Sequence, residues 1–125
     1  MKVVFKKELL EGLLDYAKDA HPNEVIVLLR GKRKEDEIYI DTVVIPPFSY
    51  GGVGFSAFNP YMLPADASIV GSAHSHPSGV KRPSVQDLLH AYGIVVVIVG
   101  YPYRDIRLDI AVYDKEGKPL KFEAR

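Results

Sequence analysis

Six consecutive β-branched residues, IVVVIV at positions 94–99, stand between Gly93 and Gly100. A strand with an apolar side chain at every position has no polar face to turn to water, so it must be covered on both sides. The run is far too short to cross a bilayer as a helix. A chain that contains it therefore needs a sheet with other elements layered on it. Residues 6–18 place Leu9, Leu10, Leu13, Leu14 and Ala17 at helical spacing and read as an amphipathic helix, stopped by His21-Pro22-Asn23. Glu24 opens EVIVLLR, a buried strand. Residues 31–36 read as a charged turn, and EIYIDTVVI as a second strand ended by Pro46-Pro47. SYGGVG, at 49–54, reads as a flexible loop, GFSAF as a short strand after it, and 59–67 as a turn or short helix around Tyr61, Met62 and Leu63. Residues 68–76 read as a strand and 84–92 as a helix ended by Gly93. The alternation IRLDIAVY at 106–113 suggests a half-buried edge, and 114–117 a hairpin turn closed by 120–122. The order α, several β, α, several β predicts an α/β sandwich on a mixed sheet.

At 125 residues the chain is expected to form one domain, 1–125. Lys+Arg and Asp+Glu balance at 16 each, which leaves no electrostatic footprint for nucleic acid. There is no cysteine, so disulfides, thiolate catalysis and Cys-ligated metals are excluded, and any metal must be held by His, Asp or Glu. The N-terminal MKVVFKKELLEGLL is interrupted by charges and does not read as a signal peptide, and no membrane association is expected. The expected location is the cytoplasm.

Two of the four histidines, His74 and His76, lie two apart in SAHSHPSGVKRPSVQDLL, residues 72–89. At the end of a strand, positions i and i+2 project to one face. Two imidazoles there can share a metal ion, or simply hydrogen-bond at the terminus. Farther on, Ser84 and Asp87 have the spacing of an acidic capping box, with Asp87 favoured by the helix dipole. Taken together, His74, His76 and Asp87 form the open three-ligand pattern of a catalytic zinc site, with softness alone leaving iron, cobalt or manganese open.

His74-Ser75-His76, seven residues, then Ser84-Val85-Gln86-Asp87 resembles the JAMM (MPN+) metalloprotease motif, and Glu24 stands where that family keeps its upstream glutamate. The resemblance spans nearly the whole chain. It implies the MPN fold, a cytidine-deaminase-like α/β sandwich with helices packed on a mixed sheet, and one Zn2+ held by His74, His76 and Asp87. Glu24 would be the general base, moving a proton from water to the departing amine, and Ser84 would donate to the oxyanion, leaving its capping role. The implied substrates are ubiquitin-like small modifier proteins joined through a Gly-Gly tail to lysine. C-terminal trimming of a sulfur carrier, or a catalytically inert MPN-type binding domain, are the alternatives. The chain has no room for the two long insertions with which eukaryotic relatives select linkages. An extended tail docks by adding a strand to a sheet edge, and the segment carrying Phe55 and Phe58 is the candidate. His90 and His21 read as structural or surface residues. Tyr101, Tyr103 and Tyr113 offer material for a homodimer contact.

Overall fold

The computed structural model describes residues 1–45, 67–89 and 91–125, together with the backbone of 50–52 and 55–57. In chain order the elements are β1 (Lys2–Phe5), α1 (Lys7–Ala20), β2 (Ile26–Lys34), β3 (Glu37–Val44), β4 (Tyr50–Gly52), β5 (Phe55–Ala57), β6 (Ile69–His76), α2 (Val85–Leu89), β7 (Val95–Gly100), β8 (Ile110–Asp114) and β9 (Lys121–Ala124). Seven strands form one mixed sheet in the order β8-β7-β6-β2-β3-β1-β9, while β4 and β5 pair with each other in a small antiparallel sheet. The α/β architecture is thus as expected.

Every residue of β7 is buried. Val95, Val97 and Val99 face the side covered by α1, where Leu10, Leu13, Leu14 and Ala17 pack among Val3, Phe5, Val27, Leu29, Ile38 and Ile40. Val96 and Ile98 face the opposite side with Tyr113, Leu88 and Ala91. The period-2 alternation of a strand thus divides one apolar run between two cores. The strands β6 and β7 run parallel, and the crossover between them carries α2.

Several boundaries differ from the sequence reading. The strand β1 was not expected, because KVVF abuts the helix with no turn signal between them. Residues 31–34 are not a turn. They extend β2, and the chain reverses at Glu35 and Asp36. Beyond Arg30, β2 has lost β6 as a neighbour and pairs only with β3, so its charged side chains stay in water. The register shifts at Arg30/Gly31, where a Cβ on Gly31 would lie 1.9 Å from the Tyr39 carbonyl oxygen. Tyr50–Gly52, expected as loop, is strand. Residues 59–66 lie outside the described residues.

The edge strand after β7 begins at Ile110 rather than 106. Side-chain carboxylates hold the preceding segment in turns: Asp109 accepts from the Arg104 and Asp105 amides, and Asp105 from those of Arg107 and Leu108. The turn at 114–117 forms, but the last strand does not complete a hairpin. The contact with β8 is a single bridge, Tyr113 with Pro119, flanked by the Asp114 N–H to Lys118 O and Leu120 N–H to Val112 O bonds, and β9 then crosses to the far edge to pair parallel with β1. Phe122 meets Phe5 edge to face there, centroids 5.9 Å apart. Tyr103 and Tyr113 are interior rather than available for self-association, and of the three tyrosines only Tyr101 is exposed. No helix among the described residues is long and apolar enough to cross a membrane.

Gly93 closes the crossover onto β6 with φ +85°, and a Cβ there would sit 2.4 Å from the Val70 carbonyl carbon. Gly12, inside α1, has open space. Gly93→Ala should therefore destabilise by more than about 1 kcal/mol, and Gly12→Ala should stabilise by roughly 0.5–1 kcal/mol. Urea unfolding midpoints compare them directly, and similar effects at the two positions would refute the strain assigned to Gly93.

Candidate active site

The register of β2 on β6 brings the polar residues together. Ile26 pairs with His74 and Val27 with Ala73. One step outward Val25 lies beside Ser75, whose N–H donates to the Val25 carbonyl at 3.0 Å, and Glu24 precedes this last contact of the ladder. Alternation places Glu24, His74 and His76 on the face opposite α1, and Ser75 on the α1 face. Glu24 is half-buried at the approach to β2, His74 is buried, and His76 ends β6.

The loop from Pro77 returns the start of α2 to this end of the sheet. Tyr113, on β8, helps hold the loop by donating its hydroxyl to the Lys81 carbonyl. Asp87 then lies 3.0 Å through Oδ2 from His76 Nε2 and 3.6 Å through Oδ1 from His74 Nδ1. The capping box also forms: the Ser84 amide donates to Asp87 Oδ2 at 2.8 Å, and the Asp87 amide donates to Ser84 Oγ at 3.0 Å. The expectation that Ser84 abandons its capping role is corrected by this geometry. A hydroxyl that accepts one hydrogen bond still has its own hydrogen to donate, and a carboxylate has lone pairs for both a cap and a cluster. The helix is shorter than expected: Leu88 N–H bonds Ser84 O, while Ala91 N–H reaches only three residues back to Leu88 O.

Three contacts were not foreseen. His76 Nδ1 lies 2.8 Å from the Val80 carbonyl, Ser72 Oγ lies 3.3 Å from His74 Nε2, and Ser75 Oγ accepts from the Val25 amide at 2.8 Å. Ser72 shares the parity of His74 and was legible as its neighbour, whereas a main-chain carbonyl carries no residue signal. His21 stacks on Tyr101, centroids 4.7 Å apart. Of the remaining candidates, Phe55 is described only as backbone in β5, and Phe58 and His90 lie outside the described residues.

The electrostatics follow from burial and these contacts. Burial pulls His74 down to about 4, against the Asp87 charge that pushes it up, so its ring is neutral at pH 7. Burial also works against charge on His76. There the bonds to Asp87 and the Val80 carbonyl, with the charges of Asp87 and Glu24, outweigh it and raise the pKa. Burial would raise Asp87, but the His76 and Ser84 hydrogen bonds and the two imidazoles bring it down to about 2. Glu24 is raised, chiefly by burial, with His76 opposing and Asp87 reinforcing.

Two imidazoles and one ionised carboxylate are a donor set suited in kind to zinc. The Val80 carbonyl accepts from His76 Nδ1–H, as an outer hydrogen bond does for a ligating histidine, while Asp87 Oδ2 accepts from Nε2–H, so Nε2 would give up its proton to take an ion. As the side chains stand, no three His, Asp or Glu groups among the described residues surround one point. Asp87 touches His76 directly, so binding an ion would replace that hydrogen bond with coordination. The donor set fits in kind: His74 is already neutral and Asp87 ionised, and His76 would exchange its Nε2 proton for the ion.

Comparisons with known proteins agree with this arrangement. The family described as prokaryotic homologs of the JAB domain matches residues 6–110. A curated protein of Haloferax volcanii, named "Probable metalloprotease", is 35% identical over 119 residues, covering 89% of this chain and 72% of that one. A JAB1/MPN domain protein from Archaeoglobus fulgidus superposes with TM-score 0.68 at 31% identity, over 98% of both chains. A structure described as "JAMM: A Metalloprotease-like Zinc Site in the Proteasome and Signalosome" gives TM-score 0.65 at 29% identity, over 98% of this chain and 97% of the other.

In the metal-free protein, unfolded His74 takes up its proton near pH 6.5 and folded His74 only near 4. Between these values the unfolded chain binds more protons, so this residue makes stability fall as the pH drops. Glu24 and His76, both raised, contribute with the opposite sign, each fading as pH rises through its folded pKa. The contribution of Asp87 is lost only from about 3.8 toward 2. The shift of His74 is the largest acting across this window. The urea midpoint should therefore fall between pH 6.5 and 4, and His74→Gln should remove most of that fall. An unchanged slope in the variant would mean that other groups govern it.

Proposed function

Because the chain belongs to the prokaryotic homologs of the JAB domain, and with them to the JAMM-type metalloprotease family, we propose that it is a zinc-dependent isopeptidase. It hydrolyses the bond between the Gly-Gly C-terminus of a ubiquitin-like small modifier protein and a substrate lysine. The observation that carries this reading is the convergence of His74, His76 and Asp87 at one end of the sheet, with Glu24 partly desolvated just before β2, on the strand that pairs with theirs, and within reach of their charges. The relative described by a metalloprotease-like zinc site in the proteasome and signalosome supports the metalloprotease part of this reading, and the modifier conjugate is proposed on the motif resemblance.

In this reading His74, His76 and Asp87 hold the zinc. The ion supplies Lewis acidity, which makes hydroxide accessible near neutral pH and offsets charge on the attacked carbonyl. Glu24 takes the proton of the attacking water. Its raised pKa makes it a stronger base than a solvated glutamate, and lets it hand the proton on to the leaving lysine amine. Ser84, whose oxygen already accepts from the Asp87 amide, turns its hydrogen toward the carbonyl oxygen as that oxygen gains charge. The modifier tail, extended and ending in glycines, adds as a strand along β5, which pairs only with β4 among the described residues.

A modifier–lysine conjugate, incubated with wild type and with Glu24→Gln in the presence of zinc or a chelator, tests the reading. Wild type should cleave, chelation should abolish cleavage, and Glu24→Gln should lower kcat by about 10²-fold or more with KM little changed. Ser84→Ala should lower kcat by about 10²-fold. Absence of cleavage by zinc-loaded wild type overturns the isopeptidase reading, and preference for a linear C-terminal extension transfers it to precursor trimming. Charged residues in place of Phe55 or Phe58 should raise KM. Unchanged kinetics would remove β5 from the substrate path.

A further inference from the structure

Ser75, between the two histidines, points away from them. It is 1% exposed and lies on the α1 face of the sheet. In a regular antiparallel pair, the Val25 amide would donate to the Ser75 carbonyl. Here it donates to Ser75 Oγ at 2.8 Å, while Ser75 N–H donates to the Val25 carbonyl at 3.0 Å. The side chain has taken over from its own carbonyl at the point where the ladder ends. That amide belongs to the peptide unit joining Glu24 to Val25. Peptide units are planar, so fixing this N–H also fixes the Glu24 carbonyl and the direction in which the chain leaves Glu24.

The surroundings close this arrangement from behind. Tyr103, 1% exposed and at φ +59°, packs against the ring of His21. Its buried hydroxyl makes no hydrogen bond of regular geometry among the described residues. Burial raises its pKa, with a hydrogen-bonding contribution from Ser75 acting against it and the charge of Glu24 adding to it.

We propose that Ser75 is a positioning residue: its hydroxyl, by holding the Glu24–Val25 peptide unit, aims the Glu24 side chain at the face that carries His74 and His76. The inference rests on the assignment of Glu24 as the base. Its structural content stands apart from activity. Ser75 does not touch substrate, and it acts only through Glu24.

The test uses the full chain, as wild type, Ser75→Ala, Ser75→Thr and Ser75→Cys. Ser75→Cys keeps the volume with a weak acceptor and serves if the alanine variant does not fold. In Ser75→Ala the Val25 amide should exchange with solvent about tenfold faster or more, while core amides of β7 keep their protection. The Hα–Hβ couplings of Glu24 should change from those of one rotamer to averaged values. Ser75→Thr, which restores a hydroxyl, should recover both. On a cleavable conjugate, Ser75→Ala should lower kcat by about tenfold or more with KM and zinc affinity unchanged. In a Glu24→Gln background it should cause no further loss. A Val25 amide still protected in Ser75→Ala, or a fixed Glu24 rotamer after its release, overturns the inference. So does an equal kcat loss in the Glu24→Gln background. If wild type cleaves no conjugate, the exchange and coupling data still decide the role of Ser75, and only the isopeptidase reading fails.

Discussion

The antiparallel register of β2 on β6 is the constraint from which the site follows. Side chains alternate across a strand, so slipping this register by one residue would send Glu24 to the α1 face and put Val25 opposite His76. The slip is prevented away from the site itself. Val27 and Leu29 must face α1 together with Ala73, and the shift at Leu29/Arg30 ends the regular pairing at the other end of the contact. An apolar core on one face thereby sets the position of a carboxylate on the other.

The second requirement is that a helix start be returned to the end of β6. The strand β7 makes this possible: it lies parallel to β6, so the chain must travel back along the sheet between them, and α2 lies on that path. Leu88 and Ala91 tie the crossover to Val96 and Ile98, and Gly93 allows the last step into β7. The buried run that makes a layered fold necessary is therefore also part of the scaffold that brings Asp87 to the histidines.

Much of this was legible from residue types alone, where a pattern recurred over enough positions. The helix at α1, the strands β2, β3, β6 and β7, and the pairing of His74 with His76 on one face all follow from periodicity. The motif spacing identified Asp87 and Ser84. The misreadings have separate physical causes. KRK beyond Gly31 is charged yet belongs to a strand, because β6 ends beside it and leaves the side chains in water. IRLD alternates yet is not a strand, because two aspartates bind backbone amides more locally than a sheet could. Phe122 belongs to a strand at the opposite edge, where Phe5 offers a ring to pack on, while the contact with β8 is limited to the bridge at Pro119. Glu24 carries no periodic signal. Its place depends on a partner strand more than forty residues away, and only the motif resemblance singled it out. The hydroxyl of Ser75 and the carbonyl of Val80 belong to the same class, since their roles exist only after the chain has folded.

Asp87 closes the first turn of α2 with the same oxygen that faces His76. This sharing restricts how the sequence at position 87 can drift. A histidine or glutamine there keeps a ligating atom near the cluster, but neither supplies a short carboxylate to the Ser84 amide, so the helix start weakens in the same step. Conversely, a substitution selected only to cap the helix meets two imidazoles arranged for a negative charge. Fold maintenance and chemistry thus screen the same atom. A descendant of this chain could not shed one duty of Asp87 gradually while retaining the other, and a lineage abandoning the chemistry would need to rebuild the helix start as well.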